Sequence, residues 1–195
     1  MTHNKNTKFE DKLGLQGFVS VQLIKPDGDG RDQVVMDKDY KNVITDAGRN
    51  FVASLLGYTT FTQPPGVNEP ASSKRRYDGI RYIGVGTGAY LETNSVSRLH
   101  TPVQFNSSGH YLAQLTSSSL GGAGISISFT RVFGLYEIST SGTVNVTELG
   151  MFPNGLESGP LDPAISTYPP LCYKVVDAFP KNQNSLLKVT WEWKL

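Results

Sequence analysis

The most restrictive stretch of the chain is its last nine residues, where apolar and polar side chains alternate without a break. Leu187, Val189, Trp191, Trp193 and Leu195 point one way, and Lys188, Thr190, Glu192 and Lys194 point the other. A period of two is the geometry of a strand with one buried face; a helix would scatter the same residues around its circumference. Two tryptophans on that face, Trp191 and Trp193, mark it as the anchor of a core. A chain that ends in such a strand must supply other strands to pair with it and a second layer to cover it.

Those partners are visible upstream. Gly17 to Ile24 alternates Val19, Val21 and Leu23 with Ser20 and Gln22, and the turn-forming run Lys25-Pro26-Asp27-Gly28-Asp29-Gly30 leads into Gln33–Met36, which predicts a hairpin. Ile80–Val85, the alternating Ile125, Ile127 and Phe129, Val144–Phe152 and Leu171–Phe179 read as further strands. One helix is expected near residues 45–56. Thr45 can cap its first turn, Asp46 suits its positive end, Ala47, Phe51, Val52, Leu55 and Leu56 share one face, and Gly57 can stop it. About seven to nine strands with one short helix predict a mainly β fold, a β-sandwich of Greek-key or jelly-roll-like type. Residues 1–16 read as a flexible polar arm, and residues 17–195 as a single sandwich domain with long loop insertions at about 58–79 and 153–170.

Composition narrows the chemistry. Lys plus Arg is 18 against 17 Asp plus Glu, so the chain lacks the basic excess of a nucleic-acid binder, and nucleic acid is not an expected partner. No apolar run approaches the ~20 residues of a membrane-spanning helix, and the polar start has no signal core, so no membrane role is expected. Cys172, alone of its kind and set between Leu171 and Tyr173, reads as a small buried hydrophobe.

Each apparent catalytic motif fails on context. Gly84-Val85-Gly86-Thr87-Gly88 follows a strand as a dinucleotide loop does, but no helix opens after it and no acid occurs between Glu92 and Glu137. Asp27–Asp32 resembles a calcium loop, yet it puts Arg31 in a ligand position and Lys38 where the closing glutamate belongs. His3, His100 and His110 lack the spacing of a zinc helix. Glu137 and Glu148 flank an expected hairpin without any further sign of a hydrolase pair. The sequence therefore predicts no enzyme, no cofactor and no metal. The basic run Lys74-Arg75-Arg76 with Tyr77, inside the long insertion, is the candidate partner contact, suited to an acidic neighbour and, less well because the run is short and isolated, to packaged DNA.

Four blocks in order carry a family resemblance. Asn42-Val43-Ile44-Thr45-Asp46-Ala47-Gly48 opens the helix, Ile80-Arg81-Tyr82-Ile83-Gly84-Val85-Gly86-Thr87-Gly88 forms a strand exit, Val146-Thr147-Glu148-Leu149-Gly150-Met151-Phe152 forms a second strand, and Leu187-Lys188-Val189-Thr190-Trp191-Glu192-Trp193 closes the chain. In this the chain resembles small virion proteins of tailed bacteriophages, of tail-fibre, collar, neck, baseplate or head-decoration type. The resemblance implies a structural protein of the virion, assembled in the host bacterial cytoplasm, whose partners are copies of itself and other virion proteins. The alternative is a sandwich module that binds a carbohydrate or receptor, a host-surface glycan among them, through exposed aromatics such as Tyr58, Phe61, Tyr77, Tyr90 and Tyr168. Glu148, in an apolar setting, is expected to be structural and to accept hydrogen bonds from free N–H groups near the helix start, because a buried carboxylate needs such partners.

Overall fold

The computed structural model describes residues 14–29, 31–55 (side chains as far as 52), 79–107, 109–121, 126–153 and 169–194. Within them the period-two segments become ten strands around one helix: β1 (Gln16–Pro26), β2 (Asp32–Lys41), β3 (Val43–Ile44), α1 (Asp46–Leu55), β4 (Ile80–Gly86), β5 (Leu112–Gln114), β6 (Ser117–Leu120), β7 (Ser126–Phe133), β8 (Thr143–Pro153), β9 (Cys172–Asn182) and β10 (Leu186–Lys194). They form two five-stranded antiparallel sheets, ordered β2-β1-β10-β7-β6 and β3-β9-β8-β4-β5. The β8–β9 hairpin lies in one sheet while its flanking strands β7 and β10 pair in the other, a crossing of the Greek-key kind. The fold is the mainly β sandwich that the alternation predicts, and its helix spans 46–55 against an expected 45–56.

The last strand owes its position to its two neighbours. β10 lies between β1 and β7, with Trp191 opposite Val19 on one side and Phe129 on the other. Its apolar face supplies Leu187, Val189, Trp191 and Trp193 to a core completed by Ile83, Val85, Leu149, Met151 and Phe179 of the second sheet. Trp191 is wholly buried; burying an indole removes on the order of 200 Å² from water, about 5 kcal/mol of hydrophobic stabilisation. Trp193 meets Phe129 edge to face, with centroids 6.0 Å apart, and its Nε1–H donates to Cys172 Sγ at 3.0 Å. Burial pushes the Cys172 thiol up to about 12, so the buried hydrophobe expected there is found, with an indole as its partner.

Helix α1 begins as its capping residues require. Thr45 Oγ1 accepts from Gly48 N–H at 3.1 Å, and the Asp46 N–H reaches Asn94 O at 2.8 Å. Thr45 also donates its hydroxyl proton to Pro170 O, which ties the helix entry to the start of β9. A Cβ on Gly48 would overlap Leu171 O, so only glycine lets the first turn lie on that strand. Phe51 carries the helix into the core.

At the chain's start, Leu15 is already buried and Gln16 pairs with Lys194; the remainder of the expected arm, residues 1–13, lies outside the described residues, as do residues 56–78 and 154–168 of the two long insertions.

Lys181 on β9 has its side chain fully buried, with Nζ donating to Asn182 O at 2.7 Å. Burial lowers its pKa from 10.5 to about 8, against a smaller opposing pull from Glu137. Between those two values the unfolded chain holds more protons than the folded one, so this group makes stability rise with pH. Cys172 acts in reverse: unfolded it ionises near 9.0, folded only at about 12, so stability falls across that window. Denaturant titrations should therefore show stability climbing from about pH 8 to about pH 9, staying level to about pH 10.5 where the two opposite slopes cancel, and declining above that. Lys181→Met should remove the climb and Cys172→Ala should soften the decline; a profile identical in all three proteins would refute the assignment.

Candidate interaction surfaces

The carboxylate of Glu148 is completely buried on β8. Its Oε2 accepts from His100 N–H at 2.9 Å and from Tyr173 Oη at 3.0 Å, and its Oε1 accepts from Thr101 N–H at 2.7 Å. Burial, aided by the Glu148 charge, pushes the Tyr173 hydroxyl up, which keeps it protonated and donating. Tyr173 Oη in turn accepts from Tyr90 N–H at 2.9 Å. The expected hydrogen bonds to backbone N–H groups are present, but their location differs from the expectation: the donors belong to the loop between β4 and β5, not to the helix start. Thr45 and Asn94 satisfy the helix start instead.

This arrangement explains the glycine run. A Cβ on Gly86 would overlap Glu148 Oε1 and Thr101 O, and one on Gly88 would overlap His100. The glycines admit a loop that folds back onto Glu148, which gives the glycine-rich exit of β4 a packing reason. Asp27 Oδ1 likewise serves the β1–β2 turn by accepting from Asp29 and Arg31 N–H at 3.0 and 2.6 Å. His100 packs edge-on against Tyr90, and His110 against Phe105. Glu137 is held by Arg131 at 2.7 Å and by Gly134 N–H at 2.6 Å, so the two carboxylates serve different partner sets. Among the described residues, no group of three His, Cys, Asp or Glu could hold a metal ion.

Of the residues singled out by sequence, Glu148, Trp191 and Trp193 are structural members of the core. Lys74, Arg75, Arg76 and Tyr77 lie outside the described residues, as do Tyr58, Phe61 and Tyr168. Tyr90 is described; its ring meets His100, and its hydroxyl accepts from Arg98 Nε at 3.3 Å.

Two surfaces emerge that the sequence did not flag. The first is a sheet edge. An outer strand invites another chain unless charge, bulges or side chains blunt it. β2 carries Asp32, Asp37, Lys38, Asp39 and Lys41, and its register shifts at Leu23/Ile24. β9 is covered by β3 only at Cys172 and Tyr173; beyond them its Val175 N–H is taken by Glu92 Oε1 at 2.9 Å and its Asp177 N–H by Tyr40 Oη at 3.2 Å. Among the described residues β6 has none of these guards: Ser117-Ser118-Ser119-Leu120 is uncharged and exposed throughout, and Leu120 is 80% exposed.

The second surface is an open cleft of about 660 Å³ lined by Gln104, Phe105, Tyr111, Tyr136, Ile138 and Thr140, among others. Tyr136 and Ile138 both adopt left-handed backbone, with φ of 62° and 68°. Since neither is glycine or asparagine, nothing in the sequence announces that turn. A scan against family models, a search of curated proteins and a search of solved structures each return no match to this chain.

Proposed function

We propose that this chain is a structural component of a tailed-bacteriophage particle, of collar, neck, tail or capsid-accessory type, that works by assembling with copies of itself and with other virion proteins, and that it performs no catalysis. The order of its four resembling blocks supports the family reading. Physically those blocks are the helix entry seated on Leu171, the β4 exit under Glu148, β8 itself, and the central strand β10.

The observation that carries assembly is the contrast between edges. β2 and β9 are blunted, whereas β6 presents a bare, uncharged strand. Its fitting occupant is β6 of a second copy. Antiparallel pairing about a two-fold axis is self-complementary, brings no like charges together, covers Leu120, and joins two five-stranded sheets into one. Native mass spectrometry of the purified chain should show oligomers. The double variant Ser118→Lys, Leu120→Lys should associate at least tenfold more weakly, and its melting should be unchanged because both positions are exposed. A wild-type chain that stays monomeric at high concentration, and that does not bind particles of its own phage, would defeat the proposal. The aromatic cleft favours a second role, glycan recognition, which is compatible with the first.

A further inference from the structure

We infer that the cleft between residues 102–107 with Tyr111 and the β7–β8 turn is a binding site for an uncharged oligosaccharide. The role is independent of the β6 edge, and the two can fail separately.

The turn is built at a cost. Left-handed backbone is strained at a residue other than glycine, and a β-branched isoleucine is the least suited to it. A turn that only had to join β7 to β8 would be better served by glycine or asparagine at both positions. The surroundings enforce the conformation instead. Ile138 N–H donates to Phe105 O at 3.0 Å, Tyr136 N–H donates to Gln183 O at 3.3 Å, and Glu137 grips Arg131 and Gly134 N–H inside the turn. The result is a division of labour. Ile138 is 7% exposed, whereas Tyr136, at the cleft wall, is 60% exposed.

The lining sets the ligand class. Tyr136 and Tyr111 offer aromatic rings, which suit the C–H face of a pyranose. Gln104, Ser107 and Thr140 add a carboxamide and hydroxyls, which suit sugar hydroxyls. Gln104 Nε2 donates to Tyr111 Oη at 3.1 Å, which couples the polar and aromatic parts of one wall. Among the described residues, no charged side chain lines the cleft. Phosphates, nucleotides and carboxylates would find no counter-charge there. The hydroxyl and carboxamide lining disfavours a purely apolar ligand. A volume of about 660 Å³ lies within the range of small-ligand sites and leaves room for a di- or trisaccharide.

The test uses maltotriose, triacetylchitotriose and globotriose as neutral probes and 3′-sialyllactose as the charged control, with saturation-transfer NMR and calorimetry on the whole chain. At least one neutral trisaccharide should bind, with transfer to its ring C–H protons, and it should bind better than sialyllactose. Tyr136→Gly removes the ring while relieving the backbone at φ 62°; it should weaken binding at least tenfold with melting unchanged or raised. Gln104→Ala, an exposed change on the opposite wall, should weaken binding severalfold and provides a second reading should the turn variant fold poorly. No binding by any neutral probe, a preference for sialyllactose, or wild-type affinity in either variant would overturn the inference.

Discussion

Trp191→Ala should cost about 3–5 kcal/mol, a large fraction of the roughly 5–15 kcal/mol that keeps a typical domain folded. The side chain is wholly enclosed, on the central strand of its sheet, between Val19 and Phe129. Its removal leaves a cavity that flanking strands pinned on both sides cannot collapse to fill. A gentler substitution isolates the reason. Among the described residues the Trp191 Nε1–H has no hydrogen-bond partner, so Trp191→Phe forfeits volume and no polar contact, and should cost only about 1–2 kcal/mol. Trp193→Phe loses the bond to Cys172 Sγ as well as volume. Thermal and denaturant melts of the three variants check the ordering, and a Trp191→Ala protein as stable as wild type would contradict the enclosed core.

Glu148→Ala should be comparably damaging, at about 3–5 kcal/mol, for a polar reason rather than an apolar one. Three donors converge on the carboxylate: His100 N–H, Thr101 N–H and Tyr173 Oη–H. Without it they remain inside the fold with nothing to accept their protons. Glu148→Gln is the sharper probe. It preserves shape but turns one acceptor into a donor that faces another donor, which should cost about 2–3 kcal/mol. Tyr173→Phe should cost about 1–2 kcal/mol, since it also strands the Tyr90 N–H. Unchanged melting of Glu148→Gln would rule out the carboxylate as the organiser of this loop.

What the sequence revealed follows from the range of the forces involved. Burial on one face of a strand is written locally, every second residue, so β1, β4, β7, β8, β9 and β10 were all legible in outline. β2 was legible only through its turn. Its charged edge residues carry no apolar alternation, and it runs on to Lys41, past the Met36 at which the expected return strand stopped. β5 and β6 escaped notice because three or four residues, mostly serine in β6, hold no periodic signal. Glu148 was recognisable as a buried carboxylate from its apolar neighbours. Its donors were not, because they sit on a loop brought home by tertiary packing and by the space that Gly86 leaves. The cleft was invisible for a related reason: tertiary hydrogen bonds, not residue type, force Tyr136 and Ile138 into their backbone conformation.

The central place of β10 also bears on how the molecule comes into being. Before that strand has left the ribosome, its sheet exists only as two separate ribbons, β2–β1 and β7–β6, each with an apolar face and a row of unsatisfied amides waiting for a partner. Pairing of the first strand with the last demands closure of nearly the whole polypeptide, a topology associated with folding on the millisecond-to-second scale. During that interval a nascent chain is most open to capture by another of its kind, through the same unpaired edges that the finished sandwich covers.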